Sequence, residues 1–93
     1  MKTNFLVGYD IADAKRLRKT AQTMQEFGYR VQYSFFHCYI SNRQKKRLIE
    51  RVSKIINKEE DQIIIIPITE KQLKEIESIG IKEDMRHHGI IIV

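Results

Sequence analysis

Hydrophobic positions switch between two periods along this chain. Phe5, Leu6, Val7 and Tyr9 form a short β-favouring run around Gly8 that stops at Asp10, which predicts an opening strand. From Asp13 the spacing lengthens: Ala14, Leu17, Ala21, Met24 and Phe27 recur every three or four residues, the stripe of an amphipathic helix. Asp13 suits its N-cap and Gly28 a left-handed C-cap, while Lys15, Arg16, Arg18 and Lys19 occupy the other face. Tyr29 to Ile40 is aromatic and β-branched, with Val31, Tyr33 and Phe35 in one phase and Phe36, Cys38 and Ile40 in the other. A slip of one residue would turn a whole set of side chains to the wrong face of a continuous strand. The spacing therefore predicts a kink, bulge or turn near Ser34 and two short strands.

Ser41-Asn42 opens a second helix, with Leu48, Ile49, Val52, Ile55 and Ile56 as its buried stripe and Lys45, Lys46, Arg47, Arg51 and Lys54 facing outward. Ile63 to Ile68 reads as a strand that Pro67, unable to donate to a ladder, assigns to a sheet edge. Glu70 to Ser78 is weakly helical, Gly80 ends it, and Ile90 to Val93 reads as a last strand. The order β-α-β-β-α-β predicts an α+β fold of the ferredoxin-like, split βαβ type, with two helices on one face of an antiparallel sheet. The apolar tail and the apolar edge strand predict that the tail pairs with a sheet edge, that of a second protomer, in a homodimer. One domain spans 1–93, with a core of about 1–69 and a helical turn and dimer-pairing strand at about 70–93.

Composition narrows the class. With 93 residues, 42% hydrophobic and 31% charged, the chain builds a core instead of remaining disordered. Seventeen Lys and Arg against 12 Asp and Glu leave a net charge of +5, which favours a polyanionic partner such as nucleic acid. Cys38 is the only cysteine and is flanked by His37 and Tyr39, a core thiol in a reducing compartment, and this indicates the cytoplasm. No apolar run approaches the ~18 residues of a membrane span, and no export signal precedes the first strand.

Asp10 is the leading candidate for chemistry, because a carboxylate directly after an apolar strand is costly unless exposed, paired or bound to metal; a turn or capping role is the alternative. One or two carboxylates hold Mg²⁺ when waters and substrate phosphates complete its octahedron. Two copies of Asp10 across a two-fold axis would meet that need, with the ion acting on a phosphodiester as Lewis acid and source of the attacking hydroxide. Arg16, Arg18 and Arg30 are the basic residues nearest the strand end and suit phosphate oxygens, or are plain solvated surface. Tyr9 and Phe36 are secondary candidates for stacking on bases, against a reading as core. His37, His87 and His88 show no zinc-site spacing, and neither a Gly-rich phosphate loop nor a nucleophile elbow is present.

Tyr9-Asp10-Ile11 with Asp13, the run Lys15-Arg16-Leu17-Arg18-Lys19, Gly28-Tyr29-Arg30-Val31-Gln32-Tyr33-Ser34 with Phe36, and Ile66-Pro67-Ile68-Thr69 together resemble the small CRISPR-associated nuclease family called Cas two. The resemblance covers nearly the whole length. It implies a ferredoxin-like homodimer and Mg²⁺ at the paired aspartates, here Asp10. Cleavage of RNA or double-stranded DNA, and association with the CRISPR integrase subunit, Cas one, in spacer acquisition, are implied with them. Arg16, Arg18, Arg30 and Phe36 match positions that the family associates with activity. Phe35 and His37 depart from the family's commoner residues without touching the Asp10 motif. The competing reading is a structural adaptor that binds duplex DNA and the integrase without metal. An RNA-recognition module lacks support because Arg30 to Phe36 holds no Lys/Arg-Gly-aromatic motif, and a metabolite-binding regulator would show a ligand cleft in place of a basic surface.

Overall fold

A computed structural model describes residues 1–80 and the pair Ile91–Ile92. The chain runs through β1 (Lys2–Asp10), α1 (Ala14–Met24), β2 (Tyr29–Gln32), β3 (Phe35–Ser41), α2 (Asn42–Ile55), β4 (Gln62–Pro67), α3 (Glu70–Lys74), β5 (Glu77–Ser78) and β6 (Ile91–Ile92). β1 to β4 form an antiparallel sheet in the order β2-β3-β1-β4, the ferredoxin-like arrangement expected from the pattern. β4 is an edge strand, as Pro67 requires.

The phase slip at Ser34 is resolved by two devices. The register of β2 on β3 shifts between Arg30 and Gln32, and a two-residue turn at Tyr33-Ser34 reverses the chain. Phe36, Cys38 and Ile40 then share the face beneath α1 and α2 with Phe5, Val7 and Tyr9, and pack there with Met24, Leu48 and Val52. The opposite face carries Leu6 and Val31, covered by Ile68, Leu73 and Ile76 of the C-terminal segment. On that face Ile64 and Ile66 stay 48% and 43% exposed.

Both long helices start where local chemistry says they should. The Asp13 side chain accepts from the Arg16 N–H, and Ser41 and Gln44 form a reciprocal capping box. Three expectations are corrected. α1 ends at Met24, and Gly28 is not in the left-handed region; a Cβ there would fall on the His37 carbonyl oxygen and lie 2.8 Å from Cys38 Sγ, so glycine is required by close approach to β3. Ala14, Leu17 and Ile49 are exposed instead of buried, because α1 turns Thr20, Thr23 and Met24 inward and α2 turns Leu48 and Val52. α3 stops at Lys74, and Glu77–Ser78 is a strand.

Ile91–Ile92 pairs in parallel with Glu77–Ser78 of its own chain. Ile90, Val93, His87 and His88 lie outside the described residues. Among the described residues no helix is long and apolar enough to cross a membrane.

Candidate functional site

Side chains alternate along β1, so Phe5, Val7 and Tyr9 enter the core beneath the helices while Gly8 and Asp10 belong to the opposite face. Asp10 is the last residue of the strand and is exposed; its register partner is Gln62. Of the three aspartates around this end of the sheet, Asp13 caps α1 and Asp61 is tied into a buried network. Among the described residues no hydrogen bond or ion pair engages the Asp10 side chain. It borders two hollows. One, of about 260 Å³, opens on the sheet face between Gly8, Phe35, Ile64 and Ile66. The other, of about 600 Å³, lies between the end of β1, α1 and the Tyr33-Ser34 turn.

The larger cleft explains the part of the α1 stripe that does not enter the core. Ala14 and Leu17 form its wall together with Ala21, which also packs on the core, with Arg18 beside them and Arg30 and Tyr33 opposite. The turn is anchored by the Tyr9 N–H, which donates to the Ser34 carbonyl at 3.0 Å. Arg18 and Arg30 are exposed and bring positive charge to the same cleft as the free carboxylate of Asp10. The Arg30 guanidinium carbon stands 5.3 Å above the Phe36 ring, a cation–π contact that orients it. Burial raises the pKa of the Tyr9 phenol above its ordinary value, and the neighbouring Arg30 opposes that shift.

Asp10, Tyr9, Arg18 and Arg30 are thus brought together, whereas Arg16 and Phe36 are not part of the cleft wall. Phe36 is 0% exposed and its ring stacks on Tyr9 at 6.2 Å, so it offers no face to a base; it is a core residue that supports Arg30 from beneath. Tyr9, 7% exposed, is likewise mostly core. Arg16 turns toward Asp61 and Glu60. His37 bonds Asn4 through Nε2 at 2.8 Å on the open sheet face. Two cleft residues lie within the quoted motifs but receive no functional role from the sequence: Leu17, 40% exposed, and Tyr33, 60% exposed. The phase slip at Ser34 is the signal that could have found Tyr33, since a residue at the tip of a turn cannot share the burial of the strands it joins.

Cys38 is a buried thiol whose pKa is pushed up to about 11 by burial, which makes it an inert core residue. Among the described residues no group of three His, Cys, Asp or Glu side chains gathers as a metal site, so a single chain offers one free carboxylate at the cleft.

A family model described as CRISPR associated protein Cas2 matches residues 3–76. The protein named CRISPR-associated endoribonuclease Cas2 3 of Synechocystis sp. is 33% identical, over 96% of this chain and 97% of its own length. CRISPR-associated endonuclease Cas2 of Halalkalibacterium halodurans is 33% identical over 83% of this chain and 85% of its own. Among solved structures, Streptococcus pyogenes Cas2 superposes with a TM-score of 0.77 at 28% identity, covering 83% of this chain and 99% of that one. A hypothetical protein from Thermus thermophilus does so with a TM-score of 0.73 at 33% identity, covering 74% and 84%.

Proposed function

The chain belongs to the Cas2 family of CRISPR associated proteins, and we propose that it is a homodimeric, Mg²⁺-dependent endonuclease that hydrolyses phosphodiesters of RNA or duplex DNA. In this reading it joins the CRISPR integrase subunit, in the reducing interior of the cell, to acquire new spacers for antiviral defence. The observation that carries the proposal is the uncommitted Asp10 carboxylate in one cleft with Arg18 and Arg30.

Asp10 fits Mg²⁺ as half of a site. It is a hard oxygen donor, exposed and unpaired among the described residues, and a second carboxylate from another copy would bring the donor set to the one or two that Mg²⁺ takes from protein. Asp10 belongs to the same sheet face as Ile64 and Ile66, so a second copy docked on those exposed isoleucines approaches both Asp10 side chains along one interface. Bound there, the ion supplies Lewis acidity toward a phosphoryl oxygen and a lowered pKa for water. The protein's own part is positional. Arg18 and Arg30 present guanidinium forks to the non-bridging oxygens of the substrate, and the stacked Phe36 ring keeps Arg30 aimed at the cleft. Tyr33 offers an exposed ring to a base unstacked next to the reacting phosphate.

Cleavage of end-labelled RNA and duplex DNA by wild type and Asp10→Asn, with Mg²⁺ and with chelator, tests this reading. Mg²⁺-dependent cleavage that disappears in the variant supports it, and a well-folded wild-type dimer that cleaves neither substrate rejects it.

A second reading, a structural adaptor for duplex DNA and the integrase, is favoured by a different observation. α1 and α2 together carry ten of the 17 Lys and Arg and a single acidic residue, Glu50. Most of these cations are exposed. An adaptor needs this charge and no metal, so Asp10→Asn would leave DNA binding intact while Lys46→Glu with Arg47→Glu would weaken it and flatten its salt dependence.

A further inference from the structure

Arg16 and Arg18 stand two residues apart on α1 and have different surroundings. Arg18 remains at the Asp10 cleft. Arg16 Nε donates to Asp61 Oδ2 at 2.8 Å and Nη2 to Asp61 Oδ1 at 3.1 Å, with Nη2 also 3.3 Å from Glu60. The Asp61 side chain is 0% exposed. Its two oxygens take two further donors, the Ala12 N–H on Oδ1 at 2.9 Å and the Asn57 N–H on Oδ2 at 2.8 Å. One carboxylate therefore ties together the β1–α1 loop, α1 itself and the turn that precedes β4.

That loop is three residues long and leads directly from Asp10 to the helix cap at Asp13. It is held at one end by the pairing of Asp10 with Gln62, the residue after Asp61, in the middle by Ala12 on Asp61, and at the other end by Asp13 on the Arg16 N–H. Besides the Tyr9 N–H on Ser34 and the packing of Ile11 against the core, the restraints on the backbone that carries Asp10 among the described residues run through Asp61, its neighbour Gln62 and Arg16.

We infer that Arg16 and Asp61 act as one positioning unit that sets the Asp10–Asp13 loop, so that Arg16 serves the site through Asp61 and not by touching phosphate. The effect on rate rests on the nuclease reading above; the effect on the loop does not. A guanidinium fork on a buried carboxylate with both oxygens saturated is a rigid support, and a carboxylate that must meet a metal and a substrate tolerates little displacement.

The test compares the full chain with Arg16→Gln, Asp61→Asn and the double variant, below the unfolding temperature of each. It reads binding to RNA and duplex DNA across a salt series, Mg²⁺-dependent cleavage, and hydrogen exchange at the Ala12 amide. A positioning role predicts that kcat falls by roughly 10- to 100-fold with KM and the salt slope of binding unchanged. It also predicts faster Ala12 exchange in both single variants and a double variant no worse than the poorer single one. A phosphate contact predicts instead that Arg16→Gln weakens binding, lowers the salt slope by about 0.9 and adds independently to Asp61→Asn, and that result overturns the inference. If Arg16→Gln does not fold, Arg16→Lys takes its place: it keeps the charge but loses the fork, and unchanged kcat and Ala12 exchange in that variant would also overturn it. A wild type without nuclease activity rejects the nuclease reading alone, and the Ala12 exchange and salt slopes still decide the role of Arg16.

Discussion

Tyr33 is an aromatic side chain at the tip of a turn, 60% exposed, on the wall opposite Leu17 in the cleft that holds Asp10. Base–aromatic stacking is worth about 1–3 kcal/mol per base, so Tyr33→Ala is expected to weaken binding of single-stranded RNA by roughly 5- to 150-fold. Duplex DNA, whose bases are already stacked, should lose little affinity, and fluorescence anisotropy at fixed salt measures both. Gly28 acts on stability instead. A methyl group there meets the His37 backbone, which cannot retreat without pulling β3 from the sheet, and Cys38 Sγ, which is part of the core. Gly28→Ala is expected to cost about 1–3 kcal/mol, read as a lower urea midpoint with an unchanged m-value. Neither residue's role is legible from its neighbours alone. Tyr33 belongs by composition to the aromatic strand run, and Gly28 resembles a helix C-cap because the residue it must avoid, His37, comes from β3, nine positions on.

At the scale of elements, legibility follows the distance between partners along the chain. The caps at Asp13 and Ser41 are readable because donor and acceptor lie three residues apart. The split of the aromatic run into β2 and β3 is readable because the alternation of side chains changes phase within it. The orientation of α1 is not, since the residue that draws Arg16 inward is 45 positions away, and the line that meets the sheet is mostly polar, so hydrophobic spacing points to its neighbour. Here the line of Arg16, Thr20 and Met24 turns inward, and that of Ala14, Leu17 and Ala21 becomes a wall of the cleft. The Arg16–Asp61 junction also makes a pH prediction. The Arg16 guanidinium, followed by the Ala12 and Asn57 N–H groups, holds the Asp61 carboxyl well below the usual carboxylate range against the opposing effect of burial. A carboxylate depressed in the folded state binds fewer protons there than in the unfolded chain, so its contribution is complete above the unfolded pKa and is lost as pH falls through the folded one. The stability advantage of wild type over Asp61→Asn is therefore expected to be constant above about pH 5 and to shrink steadily below about pH 4, as urea unfolding at each pH measures.

For the whole molecule, the unequal covering of the two sheet faces is the feature with the largest consequence. One face is sealed by α1 and α2 over Phe5, Val7, Phe36, Cys38 and Ile40. Among the described residues the other receives the C-terminal segment at Leu6 and Val31, and Phe35, Ile64 and Ile66 remain partly exposed beside Asp10. A monomer gains nothing from exposing branched apolar side chains along the edge strand β4, which invites association, whereas the proposed second copy on this face would bury them and would supply the second carboxylate. Ile64→Asp is expected to leave the fold intact, because Ile64 is already half exposed and Ile63 and Ile65 carry the packing against the core. It should shift the sedimentation coefficient from dimer to monomer, and Mg²⁺-dependent cleavage should fall with it. The tail is tested in the same experiment. Within one chain Ile91–Ile92 pairs with Glu77–Ser78, a two-residue parallel ladder that brings little stability of its own. Exchange of this strand onto a partner's sheet edge would give the tail a longer ladder and the β4 edge a cover, so a chain ending at Gly89 is expected to dimerise more weakly than wild type. A chain ending at Gly89 that sediments as a full dimer would leave the isoleucine face as the whole interface and the tail as a local pairing of its own chain.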